Sequence, residues 1–362
     1  TWDGYAVRPR DTVRATARSP VRLQVVGEVY AEQRFDGTVG PGEAVAIATG
    51  GAMPRGARGV VIFEEVVRSA DSILVPHPVR PGERVAPPGD DFRAGSRLFV
   101  RGSVLDPAAL GAVAACGRPS VVCYARPVVA VVPNGNELVA PGGTVGPGTI
   151  YESNNATLSA VIAAFGGIAR LYPPVADDPD RIEATLREAM QEADLVLATG
   201  GSSVGERDHL PRILPRLGRL LFHGIAVRPG KPTLAAATER GLVIGLPGHP
   251  SSCLANSFWL VGPVLRRLGR RPGPAWTDVT VRLGAGELVP SREMATVVPL
   301  RLRDGRAYTT YHGSSSISSM AGAQGFAVLP PGGRPVRAGA RLLGHWLPAP
   351  LGPPLDAFGA NG

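Results

Sequence analysis

The chain has 362 residues, 44% of them hydrophobic, and a formal net charge of +8. That length predicts two to four domains with sizeable cores, and the absence of any apolar run of roughly 18 residues excludes a membrane span. Lysine occurs once, at Lys231, and the other 37 of the 38 Lys+Arg residues are arginine. With Ala, Gly and Pro also abundant, coding composition is the leading account of the charge, ahead of an anionic partner. No basic helix or basic–aromatic stretch stands out, which argues against nucleic acid. Cys116, Cys123 and Cys253 form no metal spacing and no even framework. They are expected to be buried free thiols in a reducing cytosol, and no signal peptide opens the chain. The start, Thr1-Trp2-Asp3-Gly4, lies inside what reads as a motif, so an upstream segment is expected.

Residues 1–126 are rich in short β patterns, at 21–30, 43–48, 59–67 and 72–75, punctuated by Gly and Pro. Asp106 to Cys116 predicts a helix, with Asp106 as N-cap, Pro107 at the first position and Gly117 as stop. From Pro127 the pattern changes. Residues 128–132 are a continuous apolar strand, and Ser153-Asn-Asn is expected to cap a helix over 156–165. Residues 180–193 carry Ile182, Leu186 and Met190 at a spacing of four, the stripe of an amphipathic helix. A last helix follows Pro250, over about 251–268. The linker 270–276 leads to further β patterns at 279–283, 296–302, 327–329 and 341–347. The expected class is therefore multidomain α/β plus β. A β-rich region (1–126) precedes an α/β domain with a mostly parallel sheet (127–270). A small barrel-like or sandwich β domain follows (277–347), and then a disordered Pro/Gly tail (348–362).

The stretch 194–251 organises the rest. Three apolar runs, 195–198, 225–227 and 242–246, each end in a Gly-rich or Gly/Pro-rich turn, as buried parallel strands do. The turns are Gly200-Gly-Ser-Ser-Val-Gly205, Arg228-Pro-Gly-Lys-Pro232 and Pro247-Gly-His-Pro-Ser251. Ligands bind outside the carboxyl ends of such strands. Glycine admits close backbone approach, and successive N–H groups make anion nests. The carboxylates that stand in turns are Asp3, Asp90, Asp91, Glu137, Asp177, Asp178 and Asp208. Taken singly, each reads first as a solvated loop acid or a helix cap, and the case for a site rests on position. Glu137 and Asp208 follow strand ends of one sheet, and carboxylates at a phosphate-binding edge hold Mg2+. Lys231 is the lone lysine in an arginine-rich chain, and beside Arg228 it suits a small anion. Ser202, Ser203, Ser251 and Ser314 to Ser316 could donate to anion oxygens. His249 lies in the proposed pocket, and the six histidines show no metal spacing.

At these residues the chain resembles the molybdopterin molybdenumtransferase family, the group of MoeA and the gephyrin C-terminal region. The pieces are Asp3-Gly-Tyr-Ala-Val-Arg8, Ile47-Ala-Thr-Gly-Gly-Ala-Met-Pro-Arg-Gly-Ala57, Gly89-Asp-Asp-Phe-Arg-Ala-Gly95 and Asn134-Gly-Asn-Glu-Leu138. Gly200-Gly-Ser-Ser-Val-Gly-Glu-Arg-Asp208, Arg228-Pro-Gly-Lys-Pro232 and Gly245-Leu-Pro-Gly-His-Pro250 complete the set. Singly they are weak, but all seven fall in the family's order over residues 1–347.

The resemblance implies insertion of molybdenum into molybdopterin, from molybdate and Mg2+-bound adenylyl-molybdopterin, with release of AMP. It implies an elongated cytoplasmic homodimer with a molybdopterin-binding α/β domain. The adenylyltransferase and apo-molybdoenzymes are implied as further partners. It would make Asp3, Thr49, Asp91, Glu137, Asp177 and Asp208 active-site residues, with Glu137 and Asp208 on the metal. Gly200, Gly201, Ser202, Ser203, Gly205, Arg228, Pro229, Gly230, Lys231 and Pro232 would bind substrate, as would Pro247, Gly248, His249, Pro250 and Ser251. Ser314 or Ser315 would lie near molybdate. Asn136 stands where the family usually carries Asp, Arg228 where many members have lysine, His249 where Asn is common, and Thr296 where several have arginine. Two alternatives stay open: a non-catalytic molybdopterin-binding or scaffold relative, and a molybdopterin adenylyltransferase.

Overall fold

The computed structural model describes residues 2–202, 208–311 and 316–347. The expected tail at 348–362 lies outside the described residues. The chain divides into two compact units, Thr1–Val100 and Arg101–Gly362.

In the first unit, β1 (Gly4–Val7), α1 (Pro9–Thr12), β2 (Val21–Val29), β3 (Glu43–Ile47), β4 (Gly59–Ile62), β5 (Val67–Arg68) and β6 (Ser72–Val75) follow in order. The strands form one sheet, ordered β4-β1-β3-β2-β6-β5. Alternation along β1 sends Tyr5 and Val7 to one apolar cluster and Ala6 to another, so both faces are packed.

The second unit opens with α2 (Pro107–Ala115), where the Asp106 carboxylate accepts the Ala109 N–H at 2.7 Å. Next come β7 (Val128–Pro133), the short parallel pair β8 (Leu138–Val139) and β9 (Ile150–Tyr151), α3 (Asn154–Ala164), β10 (Ile168–Leu171), α4 (Pro179–Glu192) and β11 (Leu195–Thr199). They are followed by α5 (Leu210–Leu217), β12 (Arg219–His223), β13 (Val227–Arg228), β14 (Leu234–Thr238), β15 (Gly241–Leu246), α6 (Pro250–Asn256) and α7 (Gly262–Leu268). The sheet order is β10-β7-β11-β15-β14-β12. The first four strands run parallel; β14 is antiparallel to β15, and β12 is antiparallel to β14 and so runs with the first four. Along β7, Val129 and Val131 face α3, α6 and α7, while Ala130 and Val132 face α4 and α5. A strand buried on both faces reads as a continuous apolar run for this reason.

Three local expectations need correction. The run 225–227 is not a strand of this sheet. β13 pairs in parallel with a strand of the C-terminal sheet, Val227 opposite Ala295 and Arg228 opposite Thr296. Apolar composition alone does not choose a strand's partner. Secondly, Ser153 makes no side-chain cap. The Glu152 carboxylate accepts the Asn155 N–H instead, at 3.0 and 3.1 Å. Thirdly, only Cys253 is buried; Cys116 and Cys123 are exposed, because the segment around them packs few neighbours over it. The helix after Pro250 contains a π-turn at Ser257–Val261. Pro263 has no N–H to offer the carbonyl four residues back, and its ring crowds that carbonyl, so the widened turn absorbs it.

The C-terminal strands are β16 (Thr277–Leu283), β17 (Glu287–Leu288), β18 (Ala295–Arg303), β19 (Arg306–Thr309), β20 (Gly325–Leu329), β21 (Val336–Arg337) and β22 (Arg341–Trp346). Five of them close on themselves in the order β18-β19-β16-β22-β20 and back to β18, forming a small barrel. Val297, Met320 and Phe326 from this region join the same apolar cluster as Leu254, Phe258 and Leu265.

Candidate functional site

The parallel strands end level. Thr199 of β11 is in register with Pro133 of β7 on one side and Leu246 of β15 on the other. Past the strand ends the backbone stays knitted: Asn134 N–H donates to Thr199 O at 2.8 Å and Gly135 N–H to Val175 O at 3.0 Å. Gly200 N–H donates to Leu246 O at 3.2 Å. Gly200 sits at φ +84°, and a side chain there would strike the Asn134 carbonyl. Gly248 lies against it: a Cβ on Gly248 would be 3.3 Å from Gly200 Cα. Only glycine lets three turns come this close.

The turn 228–232 reaches the same edge by the route the sequence did not reveal. Because β14 runs antiparallel, its first residue, Leu234, lies opposite Gly245 near the carboxyl end of β15. The loop is closed by Gly224 N–H to Thr233 O and Ile225 N–H to Lys231 O, both 2.9 Å, and holds a cis bond between Arg228 and Pro229. Beneath it lies Asn256, fully buried. Its Nδ2 donates to Gly230 O at 3.1 Å and Thr233 Oγ1 at 2.7 Å, and its Oδ1 accepts from Trp259 Nε1 at 2.9 Å. Gly230 is at φ +113°, where a side chain would run into the Asn256 amide. Sequence reading missed Asn256; an Asn on an otherwise apolar helix face was the available sign. Arg228 reaches toward the barrel, donating to Thr296 Oγ1 at 3.2 Å and to Val289 O at 3.4 Å. The Lys231 ammonium is exposed and has no partner among the described residues.

Glu137 folds back over Gly135, whose missing side chain would lie 2.6 Å from either carboxylate oxygen. Asn136 and Asp177 clasp each other: Asp177 N–H donates to Asn136 Oδ1 at 3.0 Å and Asn136 N–H to Asp177 Oδ2 at 3.2 Å. Thus β7 and the turn after β10 hold Glu137 and Asp177 on one stretch of the edge. Asp178 is the N-cap of α4, accepting from Asp180 and Arg181 N–H. Asp208 re-enters beside Gly201, because Leu210 N–H donates to Gly201 O at 3.1 Å. Ser202 and Ser251 are buried, and Pro247, His249 and Pro250 lead from β15 into α6. Ser203, Gly205, Ser314 and Ser315 lie outside the described residues.

Four buried acceptors at this end of the sheet have no partner among the described residues: Asn134 Oδ1, Thr199 Oγ1, Asn154 Oδ1 and Asn155 Oδ1. Buried polar atoms are nearly always hydrogen-bonded, to protein, to water or to a bound group. Asn154 Nδ2 meanwhile holds the Gly248 carbonyl at 3.0 Å. Glu152, 3% exposed, sits below them. Burial raises its carboxyl above the usual range against the pull of the Asn155 and Asn154 N–H groups. Burial first, then the Glu152 charge, pushes the Cys253 thiol up, so it is inert. Among the described residues no group of three or more His, Cys, Asp or Glu side chains converges on a metal position.

The other expected residues lie in the first unit. Asp3 and Thr49 meet, the Asp3 carboxylate accepting Thr49 N–H at 2.7 Å. Asp91 stands apart on an exposed turn after Gly89, at φ +79°.

Three family models match in order. "MoeA N-terminal region (domain I and II)" covers residues 1–117, "Probable molybdopterin binding domain" 130–267 and "MoeA C-terminal region (domain IV)" 283–343. The molybdopterin molybdenumtransferase of Nostoc sp. is 33% identical over 96% of this chain and 82% of its own length. That of Bacillus subtilis is 31% identical over 93% and 81%. A solved structure of a molybdopterin biosynthesis MoeA protein from Pyrococcus horikosii superposes with a TM-score of 0.79. It is 34% identical and covers 96% of this chain and 86% of its own. With three matching models in one order and relatives above 30% identity over more than nine-tenths of its length, this chain belongs to the molybdopterin molybdenumtransferase family.

Proposed function

We propose that the chain inserts molybdenum into molybdopterin, taking molybdate and Mg2+-bound adenylyl-molybdopterin and releasing AMP. The observation that carries this reading is the edge where the turns at Asn134, Gly200 and Gly248 meet, with the Gly230 turn seated on Asn256 at the end of α6. It offers a nest of backbone N–H groups, a lone ammonium and unpartnered acceptors, the donors and acceptors that a phosphorylated pterin requires.

Gly200, Gly201, Ser202, Ser203 and Gly205 take the phosphates, with Pro247, Gly248, His249, Pro250 and Ser251 as the opposing wall. Arg228, Pro229, Gly230, Lys231 and Pro232 hold molybdate, together with Ser314 or Ser315. Asp177, Asp3, Thr49 and Asp91 join the set on the family resemblance. Mg2+ fits the donor set. It keeps several waters and binds through one or two carboxylates plus substrate phosphates, so two acids suffice where three would be needed for a protein cage. Glu137 and Asp208 would be those two, and the ion would neutralise phosphate charge. The protein's part is positional and electrostatic: fixed N–H dipoles and the Lys231 charge favour the charge that develops as AMP departs. We further propose a homodimeric, cytoplasmic enzyme. No helix among the described residues is long and apolar enough to cross a membrane.

AMP release from purified adenylyl-molybdopterin tests the reading. Release must require molybdate, and Asp208→Asn must abolish turnover while leaving the unfolding midpoint near wild type. A chain that holds molybdopterin without releasing AMP would belong to the binding-only alternative, to which the amide of Asn136, standing where the family usually carries a carboxylate, lends support. Wild-type release from Asp208→Asn would defeat the assignment of that residue.

A further inference from the structure

At the other edge of the parallel sheet, where β7 and β10 begin, arginines gather without an ion pair among the described residues. A cavity of 510 Å3 is lined by Tyr124, Arg126, Arg270 and Arg271 among others. Arg101 donates through Nε to the Tyr124 hydroxyl at 2.6 Å, and the Arg270 guanidinium lies 5.0 Å from the Tyr124 ring centre. Arg126 is fixed by Gly166 O at 3.1 Å and Gly167 O at 2.6 Å, which spends two of its donors and aims the rest. Arg271 lies flat over Gly166, where any side chain would collide with its guanidinium. Arg266 and Arg267 line the adjoining pocket with Arg270 and Arg271.

None of these six arginines forms an ion pair with a described residue. Elsewhere the arginines find acids: Arg84 meets Glu65 and Glu83, Arg187 and Arg216 share Glu183, and Arg337 meets Glu287. An arginine-rich composition explains the number of guanidinium groups, but not three on one cavity wall and three more beside it with no ion pair to a described residue. Two further signs agree. Arg266 Nε is buried with no partner, and burial followed by the Arg271 charge lowers its pKa. Arg101 and Arg270 draw the Tyr124 phenol below the usual tyrosine range against a smaller opposing effect of burial.

We propose that this cavity binds the diphosphate group of a small anion, either inorganic pyrophosphate or a nucleoside diphosphate. Guanidinium forks match phosphate oxygens two at a time. Several forks around one space call for a multiply charged anion rather than a single carboxylate. The volume falls in the range of small-molecule sites, about 300–1,000 Å3. The site is separate from the catalytic edge, since it lies at the amino ends of strands whose carboxyl ends carry that edge.

Calorimetric titration of the full chain with pyrophosphate, ADP and inorganic phosphate, each alone, tests this. Pyrophosphate is expected to bind more tightly than phosphate, and more weakly as salt rises. Arg270→Gln and Arg271→Gln should each weaken it by about tenfold, the loss expected for one charge-assisted hydrogen bond. Lys231→Ala should leave it unchanged, which separates this cavity from the catalytic edge. ADP binding more tightly than pyrophosphate would assign the nucleotide as the source; equal binding would assign the diphosphate alone. The proposal is overturned if neither pyrophosphate nor ADP binds. It is equally overturned if the heat survives both arginine variants, whatever Lys231→Ala does.

Discussion

Asn256→Ala probes how firmly the Lys231 turn is mounted. Asn256 has no exposure and three hydrogen bonds, two donated and one accepted. Its removal does not strand Gly230 O, because Thr233 Oγ1 also donates to that carbonyl, at 2.8 Å. It does strand the Trp259 indole N–H, at about 1–3 kcal/mol, and it forfeits two bonds of about 0.5–1.5 kcal/mol each. A loss of roughly 3 kcal/mol in unfolding free energy follows, read from urea titration with an unchanged slope. Trp259→Phe removes the stranded donor, so the double variant should recover about 1 kcal/mol or more of the expected sum. In an AMP-release assay the single variant should need more molybdate, since the backbone carrying Lys231 loses its support from below. If Asn256→Ala costs less than about 1 kcal/mol, or if the double variant shows simple additivity, the platform described here is wrong.

Lys231→Ala should raise the molybdate requirement about tenfold or more, a loss of roughly 1.5–3 kcal/mol for a bond to a charged group, while Lys231→Arg rescues only in part; an unchanged molybdate curve would make the lysine incidental. Gly200→Ala should lose both stability and AMP release, because it combines a strained φ, about 1–2 kcal/mol, with a collision against the Asn134 carbonyl; a fully active variant would remove the need for glycine there. Glu152 has its carboxyl raised in the fold, so its contribution to stability is present below the usual carboxylate range and is lost as pH rises through the raised value. Glu152→Gln should therefore gain stability relative to wild type toward neutral pH, and denaturant midpoints in which that gain instead grew toward acid would reverse the assignment.

What the sequence discloses is mostly local. β7, β11 and β15 are apolar runs ended by glycine, and α4 shows its stripe and its Asp178 cap, so periodicity and turn chemistry suffice for them. Partner choice is not local. Nothing in Ile225-Ala-Val227 says that Val227 pairs with Ala295 in another sheet, because two strand-forming residues carry no record of what lies beside them. Glu152 hid behind Ser153, a better capping residue by type, since the deciding factor was which oxygen the buried backbone could reach. The arginine cavity is invisible along the chain for the same reason. Arg101, Tyr124, Arg126 and Arg270 look scattered in sequence and become neighbours only once α7 ends next to β7.

The pairing of β13 with β18 has a mechanical consequence. The strand that leads into the Lys231 turn is hydrogen-bonded into the C-terminal sheet, and Arg228 is tied to Thr296 and Val289 there. Val297, Met320 and Phe326 meanwhile belong to the core under α6 and α7. A cut in the linker 270–276 would thus not release a self-sufficient α/β layer. It would strip one rung from the ladder beside the anion turn and uncover apolar surface on the helices. The barrel is an outer wall of the α/β layer as much as a body of its own, and the two should melt in a single cooperative step.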